Sequence, residues 1–365
     1  MPALAQSLIA EYFKCVKADR AKKRFSYIDA LRGYAVLGVV LVHVSQYTEF
    51  ATGLPAAGAR GVQLFFVVSA MTLLISWHKR SDSIVGFFTR RAFRILPMFW
   101  LAIPLYFVAG DNINQAIGAA FFLQATRPDW IFGLVPGGWS VCAEVGFYCL
   151  FPLLAGLITS LPRAFYLVIV SVVVSKLWRS IGLEAMTAIF PSASNLGTFM
   201  ALTLPTQLPI FAAGMTSYFV ASRFASLPRF ALEGILLAAI IGVGWYAAYR
   251  SEDYAAFGGL FALSLACTAN GAGRYLINPI IEHIGRYSFS IYLLHFKCAA
   301  WVAPLIKGMT PTAEFAALFF GTVIVTGALS SLTYYGIERP MIRFGNSLLG
   351  PDDEEPSNAQ MIQIR

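Results

Sequence analysis

The chain has 365 residues, of which 58% are hydrophobic and 13% charged. That balance excludes a soluble globular domain. The formal charge of +8 does not read as a nucleic-acid surface either, because Lys and Arg cluster in short segments between long apolar runs.

Apolar runs of about 18 or more residues recur along the chain, each long enough to span a bilayer core. Backbone polar groups in lipid must be satisfied internally, and the alternation of a β-barrel is absent, so these runs are expected to be helices. The expected fold is an all-α polytopic integral membrane protein with about ten transmembrane helices and both termini cytoplasmic. Residues 1–24 lack a basic region followed by a cleavable apolar core, so they read as a cytoplasmic tail rather than a signal peptide. Spans are predicted near 27–47, 59–78, 92–110, 139–160, 164–182, 202–221, 230–249, 255–270, 286–306 and 313–335. They make one membrane domain over 25–345, followed by a polar, disordered cytoplasmic tail over 346–365.

Basic residues set the orientation. Lys14, Lys17, Arg20, Lys22, Lys23 and Arg24 precede the first span, and Lys79, Arg80, Arg90, Arg91 and Arg94 surround the turn after the second. Arg223 and Arg229, Arg274 and Arg286, then Arg339 and Arg343 fall on the same side, which the positive-inside rule places in the cytoplasm. Lys176 and Arg179 fall at the opposite end. The segment 113–138 is expected to be a short re-entrant or interfacial element on the outer side, since a full crossing there would invert every later loop.

The first span, "SYIDALRGYAVLGVVLVHVSQY", carries Asp29, Arg32 and His43. Arg32 and His43 are eleven positions apart, three turns plus about 20°, so they share a face at about 16 Å separation. His43 is expected well inside the apolar run, either as a packing residue bonded to a carbonyl or as a functional group. Ionisable residues at depth favour the second reading. Arg91 and Arg94 sit at i, i+3 where the third span begins, with Pro97 close behind. Paired guanidiniums there suit phosphate oxygens, while plain cytoplasmic anchoring already accounts for Arg80 and Arg90. "GGWSVCAEVGFYCLFPLL" places Glu144 just inside a span behind Trp139 and Ser140, where a carboxylate must be paired or protonated. "IGRYSFSIYLLHF" carries Tyr292 and His295, and puts His295 at a depth similar to that of His43, so the two histidines are expected to approach each other. Glu338, closing the last span, is expected to pair with one of the arginines in a structural role.

Cys15, Cys142, Cys149, Cys267 and Cys298 are scattered, without CxxC spacing or histidine partners, and read as small buried hydrophobes. No metal site is expected. The chain has no GxSxG elbow, P-loop or HExxH, and five residues after His43 stands Thr48, not the Asp of an H-x4-D arrangement.

Taken in order, these segments resemble the membrane acyltransferase-3 family. "IDALRGYAVLGVVLVH" is similar to its first-helix signature, with the basic-x10-His spacing at Arg32 and His43. "GVQLFFVVSAMTL", "RAFR", "WSVCAEVGFYCLFPLL", "IGRYSFSIYLLHF" and "GIERP" resemble the motifs that follow. Ala70 stands where a Gly is usual, and "AEVGF" lacks the second acidic or amide residue that commonly follows the Glu. The resemblance implies an O-acyltransferase of the bacterial inner (plasma) membrane that delivers an acyl group, commonly acetyl, from cytoplasmic acyl-CoA to a hydroxyl of an envelope or exported glycan. It implies no bound cofactor, acyl-CoA as co-substrate, and membrane lipid and a glycan or lipid-linked saccharide as partners. Arg32, Arg91 and Arg94 would then hold the donor's phosphates. His43 would serve as general base or as the group first acylated, and Glu144 would orient His43 or bind acceptor hydroxyls. Asp29, Trp139, Ser140, Tyr292, His295 and Glu338 are the expected lining. Intramembrane histidines and carboxylates with a Pro-interrupted segment, "LTLPTQLPIFAAG", also suit a proton-coupled transporter or flippase of a glycan or acyl carrier. A structural partner in an envelope assembly is a third reading, and nothing in the pattern fixes an oligomeric state.

Overall fold

The computed structural model describes residues 25–48, 58–79, 83–108, 111–250 and 252–349. The predicted tail over 1–24, and the part of the other tail beyond 349, lie outside the described residues. Among the described residues there is no strand, and the longer elements are α1 (Phe25–Ser45), α2 (Gly61–Lys79), α3 (Ile84–Tyr106), α4 (Ile113–Ala120), α5 (Gly138–Leu157) and α6 (Leu161–Leu177). They continue as α7 (Leu183–Ile189), α8 (Leu196–Leu202), α9 (Leu204–Phe224), α10 (Arg229–Tyr249) and α11 (Tyr254–Ala269). The chain closes with α12 (Pro279–Arg286), α13 (Ser288–Val302), α14 (Pro311–Thr333) and α15 (Arg339–Ser347).

Among the described residues seven helical stretches are long and apolar enough to cross a membrane, and the protein is an all-α polytopic membrane protein. The other three predicted spans hold α3 with its arginines, the sixteen-residue α11 and the fifteen-residue α13. Over 113–138 the chain forms α4 and two single turns of 3₁₀ helix, none long enough to cross.

Several boundaries differ from expectation for local reasons. A π-helical turn at Trp178–Gly182 carries α6 on into α7, so that helix runs to Ile189 rather than ending near 182. A second π turn at Tyr334–Glu338 joins α14 to α15. The span predicted over 286–306 breaks at Tyr287, where α12 hands over to α13. Arg179, predicted at the outer end, forms an ion pair with Glu252, which offsets its charge there.

The core is a ladder of rings and branched side chains shared by α2, α3, α5 and α9. Phe66 stacks on Phe211 at 4.4 Å, Phe211 on Phe147 at 4.2 Å, and Phe87 on Phe151 at 5.2 Å between centroids. The outer faces of α6, α10 and α14 expose Phe165, Tyr166, Ile169, Phe230, Ile241, Trp245, Phe320 and Ile324. In water such a surface would drive association; against lipid it is the matching face.

One crossing sets the geometry of the site. α12 packs backbone to backbone on α1: a Cβ on Gly285 would lie 1.7 Å from the Asp29 carbonyl oxygen, and one on Gly33 would lie 2.4 Å from the Ile281 carbonyl oxygen. Asn278 starts α12 by accepting from the amides of Ile280 and Ile281, each at 3.1 Å. The approach holds Asp29 within electrostatic reach of Arg286. Gly285→Val is expected to push α12 off α1, at a cost of about 2–3 kcal/mol or more from overpacking. Melting of the detergent-solubilised protein checks this, and a wild-type melting temperature would show that the crossing is looser than drawn.

Candidate active site

Five helices, α1, α2, α3, α5 and α13, converge on a pocket of about 80 Å³ lined by polar and apolar side chains. Arg32, Ser69, Arg94, Ser140, Glu144, Tyr148, Ser288 and Tyr292 line it, with Phe65, Phe66 and Ile95 among the apolar walls. It holds a few water-sized groups, and two guanidiniums and one carboxylate face it.

Each polar group is placed by its helix. Arg32 reaches across to the Thr72 hydroxyl on α2 at 3.5 Å, and Arg94 acts electrostatically on it as a like charge. Glu144 accepts from the Ser69 hydroxyl at 2.5 Å and the Tyr148 hydroxyl at 2.6 Å. Those two hydroxyls do the work expected of a second acidic or amide neighbour. Tyr292 and Ser140 share a hydrogen bond of 2.7 Å, and the Gly137 carbonyl accepts from whichever of the two hydroxyls does not donate in that bond, lying 2.9 Å from Tyr292 and 3.0 Å from Ser140. Gly137 is required there twice over: its φ is +78°, and a Cβ would sit 2.6 Å from the Tyr292 hydroxyl.

Arg91 and Arg94, alike by spacing, are separated by the structure. Arg94 lines the pocket, whereas the Arg91 guanidinium lies 6.0 Å over the ring of Tyr148, whose own hydroxyl holds Glu144. Glu144 lies within electrostatic reach of Arg32 and Arg91, and its hydrogen bonds run to Ser69 and Tyr148.

His43 sits in the last turn of α1, two residues before Ser45, and is partly exposed. Its Nδ1 lies 3.3 Å from Gln46 Oε1. Its ring is 5.3 Å from that of His295 and 4.3 Å from that of Phe296. The expected approach of the two histidines is therefore made. Tyr292 bridges the regions: it lines the pocket, and its ring is 6.0 Å from that of His295.

The remaining predicted residues lie around this line. Asp29 is not among the pocket-lining residues but is within electrostatic reach of Arg32, Arg94 and Arg286. Trp139 packs edge-on against Phe66 at 6.3 Å, behind the wall. Glu338, expected on an arginine, accepts instead from the Ser290 hydroxyl, with Arg94 acting on it at longer range. The π turn that ends at Glu338 presents the carboxylate to α13, a position helical periodicity does not predict. Ser69, Thr72, Tyr148 and Gln46 were missed because hydroxyl and amide side chains in apolar helices usually bond their own backbone.

An acyltransferase domain model matches residues 25–331. The chain belongs to the acyltransferase-3 family. It is an acyltransferase, and its similarity to other members extends across most of its length. It is 30% identical to the exopolysaccharide production protein ExoZ of Rhizobium meliloti over 80% of this chain and 91% of that protein. It is 24% identical to the O-acetyltransferase OatA of Staphylococcus aureus over 91% of this chain, which covers 60% of OatA. It is also 24% identical to the acyltransferase MdmB of Streptomyces mycarofaciens, over 88% of this chain and 92% of that protein. No solved structure matches.

Proposed function

We propose that the chain is a membrane O-acyltransferase that takes an acyl group, acetyl in the simplest case, from cytoplasmic acyl-CoA and places it on a hydroxyl of an envelope or exported glycan. The observation that carries this reading is the convergence of Arg32 and Arg94 on one pocket, with His43 eleven residues further along α1. Two like charges face each other there, an arrangement that an anionic ligand stabilises. The rise of α1 sets His43 about 16 Å from Arg32, a span of the order of the donor's thioester-bearing arm.

In this reading Arg32 and Arg94 hold donor phosphate oxygens, and the arm passes Tyr292 toward His43. The acceptor oxygen forms a bond to the thioester carbonyl carbon while its proton goes to an imidazole nitrogen of His43. The carbon–sulfur bond breaks, and the thiolate of CoA leaves with the electron pair. The arginine-bearing end faces the cytoplasm of a bacterial inner membrane, as the distribution of Lys and Arg favours. ExoZ and OatA, whose names refer to exopolysaccharide production and to O-acetyl transfer, support a glycan acceptor and an acetyl group.

The test supplies labelled acetyl-CoA to inside-out membrane vesicles containing the wild-type protein, and follows label that mild base releases from glycan or lipid. Donor-dependent, base-labile label is expected. Glycan movement without any requirement for donor would replace this reading with that of a transporter.

A further inference from the structure

His295 has no assigned part in the chemistry, yet its surroundings are unusual. It is fully buried in α13. Its Nδ1 lies 2.7 Å from the Tyr292 carbonyl oxygen and 3.2 Å from that of Ile291. Carbonyl oxygens only accept, so Nδ1 carries the hydrogen and Nε2 keeps a lone pair. That Nε2 is buried with no hydrogen-bond partner, which costs stability unless a donor arrives during function.

The facing group is His43. Gln46 Oε1 receives the His43 Nδ1 hydrogen by the same logic, which leaves the His43 Nε2 lone pair free as well. The ring centroids are 5.3 Å apart with the planes tilted by 35°, so the two rings are neighbours while the His295 Nε2 stays without a hydrogen bond. Two lone pairs cannot bond each other; one proton between them satisfies both. Other titratable groups near His295 are Tyr292 on its own helix and Tyr106 of α3, whose hydroxyl donates to the Leu293 carbonyl and whose ring lies 5.3 Å below the Lys297 ammonium. His43 is the group that acts on His295 electrostatically.

We propose that His295 is a positioning residue for the acyl transfer, its Nε2 accepting the proton that His43 withdraws from the acceptor hydroxyl, so that the two histidines hold that proton between them. The proposal rests on the assignment of His43 as proton acceptor. The acceptor O–H bond breaks, the oxygen bonds to the acyl carbon, and the carbon–sulfur pair leaves with CoA. The shared proton is then returned to the thiolate or to water. The buried member fixes the orientation of the partly exposed one, which meets the acceptor.

Two isosteric substitutions separate this role from a structural one. His295→Gln places an amide oxygen where Nε2 stood, and His295→Asn keeps a donor near Nδ1 but removes the Nε2 acceptor. Rates are measured per folded protein, quantified by melting amplitude, in vesicles that show wild-type transfer. His295→Gln is expected to retain kcat within about tenfold of wild type, and His295→Asn to lose about a hundredfold or more, with the donor KM unchanged in both. An Asn rate equal to or above the Gln rate overturns the proposal, as does a loss that appears only in KM. Absence of transfer by the wild type refutes the proposed function itself and is read separately, before either variant is compared.

Discussion

His43→Ala is expected to reduce base-labile acyl transfer by between a hundredfold and about ten-thousandfold, the range a positioned acid–base group contributes. The fold is expected to survive. His43 lies in the last turn of α1, is partly exposed, and its side-chain hydrogen bond to Gln46 is a long one at 3.3 Å. Alanine is also the better helix former, so the melting temperature should move by only a few degrees. Donor affinity is expected to be unchanged, because Arg32 lies some three turns of α1 away and Arg94 lines the pocket beside Arg32. The measurement is therefore paired: incorporated label in vesicles, and equilibrium binding of acetyl-CoA to purified protein. Lost transfer with intact binding assigns His43 to the chemical step. Lost binding would place His43 in the donor site instead, and retained transfer would remove it from the reaction.

What could be read from the residues, and what could not, divides along a physical line. Periodicity and depth along one helix were legible, so Arg32 and His43 were placed on a shared face, and His43 and His295 at matching depths. The offset between two antiparallel helices is not written in either one. That offset is set by the closest approach their backbones allow, here at Gly33 against Ile281 and Gly285 against Asp29. The partners of Glu144 were not legible for the same reason: its place near the start of α5 could be read, but only the packing of α5 shows that the carboxylate accepts from Ser69 of α2 and from Tyr148. For Glu338 an arginine was expected and Arg94 does act on it electrostatically, but its hydrogen bond from Ser290, made at the end of a π turn, was not legible. Helix ends were the least legible of all, since α6 and α14 run on through π turns in sequence that reads as their natural stop.

The same geometry predicts that the two arginines of "RAFR" are not equivalent. Arg94→Ala is expected to weaken acyl-CoA binding by about 30- to 1,000-fold, equivalent to some 2–4 kcal/mol for a desolvated phosphate contact. Arg91→Ala is expected to weaken it by less than about tenfold, because Arg91 is not among the pocket-lining residues and lies over the Tyr148 ring, acting on Glu144 only electrostatically. Arg94→Lys should fall between, keeping the charge but losing the two-pronged geometry. Arg94 repels Arg32 but attracts Asp29 and Glu338, so these effects oppose each other and removing its charge is expected to change the stability of the apo protein less than it changes donor binding. Added acyl-CoA should then raise the wild-type melting temperature and leave that of Arg94→Ala almost unmoved, since ligand stabilisation follows the ratio of concentration to Kd. Equal thermal shifts for the two proteins would show that the phosphates bind elsewhere. A larger loss for Arg91→Ala than for Arg94→Ala would exchange their roles and place the donor on the far side of Tyr148.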